Sequence, residues 1–331
     1  MVRFGIAGFG HHAVKRLMPG FARAKRCQVV ALSRRDPQRA QDAAGEFCIP
    51  HAFTSTVELC ACPEVDAVFV ASPDAMHLSD VLEVVRHRKP VLVEKPMAMT
   101  VAEASKMVEA ARTAAVMLGV AHNMRFERSV GWFRERVSDG VIGKPLLARA
   151  TFAAPMLSSP RTWAQDPKLA TGGPLADIGV HCFDSLHYIL ADEVQTVTMQ
   201  AQYDSHSVLE ASASGVLQFS RGTLASVSVS GRGAYQTLLE VIGESGVLSA
   251  VNALTVDAPV TLELRRGHNV AERMQVLNDD AYALQLDAFG AAVEDGRDFE
   301  IPGEEGLRNQ LVLEAAYRSI KSGKIETVGP M

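Results

Sequence analysis

The feature that most restricts this chain lies at its start. Val2-Arg3-Phe4-Gly5-Ile6-Ala7 is a mostly apolar run of strand character, and it leads into Gly8-Phe9-Gly10-His11-His12-Ala13, a G-x-G-x-x-A turn followed by a helical pattern. Gly8 permits a tight turn, Gly10 lets backbone approach a pyrophosphate, and Ala13 is small enough for close strand and helix packing. The N–H groups and dipole at a helix start favour negative charge, so a dinucleotide is the expected ligand.

The rest of the first 122 residues repeats this unit. Apolar runs at Arg3–Ala7, Gln28–Ser33, Ala67–Ala71, Val91–Glu94 and Val116–Ala121 alternate with helical patterns, as in a parallel sheet covered on both faces. Asp36-Pro37, Ser55 with Glu58 and Thr100 with Glu103 mark helix starts, the last two at capping-box spacing. After Arg125 one more helix runs through Val137. Then Val194–Tyr203, Ser214–Phe219, Thr223–Ser230 and Leu238–Ile242 alternate or run β-branched, separated by glycine turns at 220–222, 231–233 and 243–246. That pattern predicts an antiparallel or mixed sheet, followed by helices at Ala281–Glu294 and Glu304–Ser322, with Gly323 as terminator.

A length of 331 residues accommodates two domains, with the boundary expected near residues 122 to 125. The net charge of -5 gives no general attraction to phosphate backbones, which argues against a nucleic-acid partner. No apolar stretch is long enough to span a bilayer, and no secretory signal is recognisable, so neither a membrane partner nor export is expected. The five cysteines, Cys27, Cys48, Cys60, Cys62 and Cys182, form no disulfide framework and point to a reducing, cytoplasmic setting. Cys60 and Cys62 lack a second Cys or His pair at zinc spacing, so no metal site is expected.

Three further clusters carry chemistry. At the end of the second strand no carboxylate stands ready for a ribose 2'-hydroxyl; Ser33 and Arg34 stand there instead, a pair suited to a 2'-phosphate, so NADP(H) is expected in preference to NAD(H). The competing reading makes Arg34 and Arg35 a solvated pair and Asp36 a helix cap. Glu94-Lys95-Pro96 ends a parallel strand where ligands bind, and the Lys95 ammonium could donate to a substrate oxygen, or pair with Glu94 in an exposed loop. Asp177 and His181, four positions apart after Gly172-Gly173-Pro174, share one face if they begin a helix, as an acid/base pair or as a cap with a buried histidine.

Taken in order, these patterns resemble the glucose-fructose oxidoreductase, inositol dehydrogenase and rhizopine catabolism family of nicotinamide-dependent oxidoreductases. The resemblance spans nearly the whole chain and includes 66–73, His77, Lys89-Pro90, Glu94-Lys95-Pro96, Arg125, Ile142-Gly143 and 177–181. It implies an α/β protein with an N-terminal Rossmann domain (1–122, parallel doubly wound sheet). A C-terminal α+β domain (123–331) follows, with a large open, mainly antiparallel sheet for substrate binding and oligomerisation, as a homodimer or homotetramer.

The implied catalytic residues are Lys95, Asp177 and His181. Cofactor-binding positions are Gly8, Phe9, Gly10, His11, His12, Ser33, Arg34, Ser72, Pro73, His77, Glu94, Lys95 and Asn123; for the substrate they are Lys95, Arg125, Trp163, Asp177 and His181. His77 could instead pack beneath its loop, and Arg125 could be a salt-bridge partner. His11 and His12 are unusual at a phosphate turn. The implied reaction is hydride transfer between nicotinamide and a hydroxyl or carbonyl carbon of a sugar, polyol or related small molecule. Loops at 153–170 and 231–235 would choose the substrate. The rival readings are a nucleotide sensor without turnover and an enzyme that holds its cofactor tightly and recycles it internally.

Overall fold

The apolar runs of the N-terminal region become β1 (Val2–Ala7), β2 (Cys27–Ser33), β4 (Ala67–Val70), β5 (Val91–Val93) and β6 (Leu118–Val120), joined by a short β3 (His51–Phe53) that the sequence reading does not single out. β3 is three half-buried residues with no apolar run to announce it. All pair in parallel, in the order β3-β2-β1-β4-β5-β6, so the winding reverses between β1 and β4. The structure, a computed structural model, describes residues 1–156, 159–205 and 207–331.

The helices start where the sequence marks them. Asp36 caps α2 (Pro37–Glu46) by accepting from the Arg39 N–H at 3.0 Å. Ser55 and Glu58 complete both halves of a capping box on α3 (Thr56–Ala61), and Thr100 caps α5 (Val101–Ala114). α1 (Met18–Arg23) continues a helix that begins after the glycine turn, and α4 (Asp74–Arg86) follows β4.

One compact unit gathers Met1–His122, Lys168–Thr171 and Tyr282–Gln310. Phe289, on α8 (Ala281–Asp295), fills this unit's core, 5.9 Å from the Phe4 ring and 5.2 Å from Phe299.

The other unit comprises Asn123–Pro167, Gly172–Ala281 and Leu311–Met331. Its sheet has nine strands: β7 (Pro145–Ala153), β8 (Val194–Tyr203), β9 (Glu210–Phe219), β10 (Leu224–Ser230), β11 (Gln236–Gly243), β12 (Val247–Val251), β13 (Val260–Arg266), β14 (Asn269–Val276) and β15 (Glu326–Thr327). Their order is β14-β13-β12-β11-β7-β10-β9-β8-β15, antiparallel except for β7 beside β10. α6 (Arg128–Ser138) and α7 (Val180–Leu190) contribute Phe133, Phe183 and Leu186 to the core, with the inward residues of the sheet and Leu313 from α9 (Gly303–Ser322). β7 and β12–β14 go beyond the strands read from sequence. β14 is exposed along nearly its whole length, and Glu272 interrupts the apolar positions Val270, Met274 and Val276 on one of its faces. Among the described residues no helix is long and apolar enough to cross a membrane.

Candidate functional site

The phosphate turn is built almost entirely from backbone. Gly8 sits at φ +79°, and a Cβ there would lie 2.4 Å from the Ser72 Cα, so only glycine lets the turn pack on the end of β4. At Gly10 a Cβ would meet only the Gly8 carbonyl, at 3.7 Å, leaving that side open for a ligand. Residues 11–23 are helical, opening through a π-helical turn at Ala13–Leu17, and the Val14 N–H donates to the Gly10 carbonyl at 3.1 Å. First-turn N–H groups lack an acceptor inside a helix, so they can meet an anion. An open glycine beside a helix start fits a dinucleotide pyrophosphate.

The neighbouring positions divide by role. Phe9 is in the core, 5.7 Å from the Phe47 ring, and its N–H donates to the Ser33 carbonyl at 2.9 Å, so neither its ring nor its amide faces outward. His11 is exposed, whereas the His12 side chain turns inward, with Nε2 2.8 Å from Glu94 Oε1. Ser33 is buried at the tip of β2 and Arg34 is half-buried beside it. Among the described residues the Arg34 guanidinium has no ion-pair or hydrogen-bond partner, while Asp36 is occupied as the α2 cap. A cation without a carboxylate at this strand tip is the arrangement a 2'-phosphate needs.

At the ends of β4 and β5 the polar groups hold one another. Ser72 Oγ donates to Asp80 Oδ2 at 2.6 Å, and Pro73 precedes α4. His77 is 1% exposed, with Nδ1 3.0 Å from the Pro96 carbonyl and Nε2 2.9 Å from the Ser72 carbonyl. It ties two strand ends together from beneath rather than presenting a ligand-binding edge. Lys95 follows the buried Glu94, is half-buried rather than an exposed loop residue, and precedes Pro96 through a cis peptide bond. Burial pushes the Glu94 carboxyl up, but the charge and hydrogen bond of His12, together with Lys95, hold it down at about 2.

In the second unit, Asp177 lies in a π-helical turn (Leu175–Gly179) that runs into α7, on which His181 sits. Asp177 does not cap that helix: Pro174 and Gly179 occupy the cap positions, without side-chain caps. Its carboxylate is gripped instead by Arg161, through Nη1 to Oδ1 at 3.3 Å and through Nη2 to Oδ2. The Arg161 guanidinium also stands 5.8 Å from the centre of the half-buried Trp163 ring. His181 is 6% exposed, its ring 6.1 Å from that of Phe152. Arg125 forks onto Asp184, with Nε 3.0 Å and Nη2 2.6 Å from Oδ1, and stacks on Tyr188, a commitment that uses its guanidinium internally. Asn123 is buried, and its amide nitrogen has no acceptor among the described residues.

What sets the Asp177 turn has no local signature in the sequence. The Glu210 carboxylate accepts from the Gly173 N–H at 3.1 Å and the Leu175 N–H at 2.9 Å, and the Tyr317 hydroxyl donates to it at 3.1 Å. A Cβ on Gly173 would collide with the Glu210 carbonyl at 2.1 Å, and one on Gly172 with Tyr317, which explains the glycine pair. Only that pair is a signal in sequence; Glu210 and Tyr317 lie far along the chain. The loops at 153–170 and 231–235 line one cleft of about 620 Å³ that includes Arg161, Gln165, Glu210 and Arg232. Leu157 and Ser158 of the first loop lie outside the described residues.

Comparison with known proteins bears on both units. A profile described as "Oxidoreductase family, NAD-binding Rossmann fold" matches residues 2–122, and the GFO/IDH/MocA C-terminal domain profile matches residues 130–249. The 1,5-anhydro-D-fructose reductase of Ensifer adhaerens is 32% identical, with 99% of each chain covered. The myo-inositol 2-dehydrogenase of Thermotoga maritima is 29% identical over 90% of this chain and 91% of that one. The crystal structure of the aldose-aldose oxidoreductase from Caulobacter crescentus, complexed with glycerol, superposes with a TM-score of 0.91 at 25% identity, covering 98% of this chain and 99% of that one.

Proposed function

Because the chain belongs to the GFO/IDH/MocA family of oxidoreductases, we propose that it uses NADP(H), in preference to NAD(H), to interconvert a hydroxyl and a carbonyl on a sugar, polyol or related small molecule. The observation that carries the cofactor choice is the Arg34 guanidinium beside Ser33, unpartnered among the described residues, with Asp36, two positions on, spent on a helix cap. The bound nicotinamide supplies or accepts the hydride; binding, orientation and proton movement fall to the chain.

Backbone at Gly8, Gly10 and the first helical turn holds the pyrophosphate, with Ser72 and Pro73 framing it from β4. The Lys95 ammonium donates to the substrate oxygen and lowers the cost of charge developing there. His181 exchanges the hydroxyl proton, as base in oxidation and acid in reduction. Asp177 supports it as a carboxylate, and Arg161 fixes where that carboxylate points. Asn123 brings a buried amide donor that has no acceptor among the described residues. Trp163 and the cleft beside Arg161 offer an apolar face with polar groups around it, which suits a polyhydroxylated substrate.

Leu147, Val216 and Leu224, each 43–48% exposed on neighbouring strands of the nine-stranded sheet, support a homodimer or homotetramer formed through that sheet. Four buried thiols and one exposed thiol, none in a disulfide, support a reducing, cytoplasmic setting.

The test is absorbance-monitored turnover with NADPH against a panel of sugar carbonyls, and with NADP+ against the corresponding alcohols, run alongside Lys95→Ala. Turnover by the parent that collapses in the variant is expected; a variant that still turns over at the parent rate would remove Lys95 from the chemistry.

A further inference from the structure

Pyrophosphate binding calls on the backbone of His12 and leaves its side chain unexplained. That side chain meets Glu94 at 2.8 Å, while the other Glu94 oxygen accepts from the Lys95 N–H at 3.2 Å. Tyr282 flanks the imidazole, with ring centroids 6.1 Å apart. Among the described residues Lys95, from the end of β5, and Tyr282, from α8, face the pair, while His11, Lys15 and Arg16 are titratable neighbours in sequence on His12's own helix. Glu94 is 8% exposed and stays ionised in that setting, held at about 2 by His12 and Lys95 against the effect of burial.

Strand order decides which part of a dinucleotide this pair serves. In a doubly wound sheet the half made by β1 to β3 takes the adenosine, with the ribose at the tip of β2, and the half beyond the switch point takes the second mononucleotide. Glu94 and Lys95 end β5, in the nicotinamide half. A nicotinamide ring is cationic when oxidised and neutral when reduced, whereas the pyrophosphate charge is common to both forms. A fixed charge in this half therefore discriminates between the two oxidation states. A lone buried carboxylate would favour the oxidised form, whereas a carboxylate bearing an imidazolium is neutral as a pair.

We propose, resting on the dinucleotide reading above, that His12 cancels the charge of Glu94 and so keeps the reduced nicotinamide from being outcompeted by the oxidised one. A chain equipped in this way is suited to carbonyl reduction, in which the reduced cofactor must be captured in the presence of its product.

Calorimetry at about pH 6, where imidazoles generally carry their proton, tests this with NADP+ and NADPH on nucleotide-free protein. His12→Gln is expected to tighten NADP+ relative to NADPH by about tenfold. His12→Lys should keep the parent ratio, and His12→Gln combined with Glu94→Gln should restore it, because both charges are then gone. Should His12→Gln fail to fold, His12→Lys with Glu94→Gln leaves an ammonium without its carboxylate beside that of Lys95 and is expected to weaken NADP+ relative to NADPH by about tenfold. Variants that bind both forms with the parent ratio would overturn the role of His12 and leave the dinucleotide reading standing. Parent protein that binds neither form would overturn both.

Discussion

In the first unit, the groups that would meet a nucleotide come from short stretches at strand ends: Gly8 to His12, Ser33-Arg34 and Glu94-Lys95, each positioned by the parallel sheet itself. In the second, Asp177 depends on side chains from distant segments: Arg161 holds its carboxylate, while Glu210 and Tyr317 fix the turn before it. The contrast extends to buried acids. Glu94 stays charged because His12 and Lys95 face it. Burial pushes the Glu127 carboxyl well above its usual range, with Ser129 opposing; the Ser129 hydroxyl donates to the Ala253 carbonyl, and neither Glu127 oxygen has a partner among the described residues. Backbone-built recognition tolerates little change at one glycine, whereas side-chain-built positioning is spread over several replaceable groups.

That difference can be broken most severely at Gly8. Gly8→Ala places a methyl group against the Ser72 backbone at positive φ, and is expected to cost about 3 kcal/mol of stability and about a hundredfold in nucleotide affinity, read by thermal unfolding and calorimetry. Lys95→Ala separates binding from chemistry: turnover should fall about a thousandfold, with the nucleotide Kd changed by no more than about threefold. A large loss of nucleotide affinity in a folded Lys95 variant would move that lysine from the substrate to the cofactor.

A smaller effect is expected from the second unit. Arg161→Ala removes the guanidinium that grips the Asp177 carboxylate and should lower kcat by about tenfold to a hundredfold, with nucleotide binding untouched and partial rescue by Arg161→Lys. Equal kcat in parent and variant would make the Arg161 pair a packing feature only.

The smallest effect, and the one that sharpens the contrast between the buried acids, lies in pH dependence. The folded protein keeps the Glu127 proton at pH values where the unfolded chain has released it, so this group makes stability fall as pH rises above the ordinary carboxyl range. Glu127→Gln should therefore match the parent at about pH 4 and melt about 3 °C higher by pH 8. Glu94 runs the other way: its contribution is present above its ordinary 4.5 and is lost as pH falls towards about 2.

The legibility of the chain follows the same division. The parallel sheet, its helix caps and the phosphate turn could be read because each depends on neighbours in sequence: a capping box spans four residues, and a glycine turn announces itself. The nine-stranded sheet is legible in sequence only in part. In β14 Glu272 breaks the alternation of Val270, Met274 and Val276, and β7 pairs with β10 and β11, strands more than seventy positions away. Asp177 and His181 could be found from their spacing, but not the Arg161 grip or the Glu210 clamp, since no local pattern records a contact made by the fold. Arg125 and His77 have the residue types of ligand contacts, and the structure commits both to partners inside their own units.

The most direct test is calorimetry on nucleotide-free protein, comparing NADPH with NADH and repeating both with Arg34→Ala. NADPH is expected to bind about tenfold or more tighter than NADH, with the preference lost in the variant. Equal affinity for the two nucleotides in the parent would contradict the assignment of Arg34, and binding of neither would contradict the dinucleotide site itself.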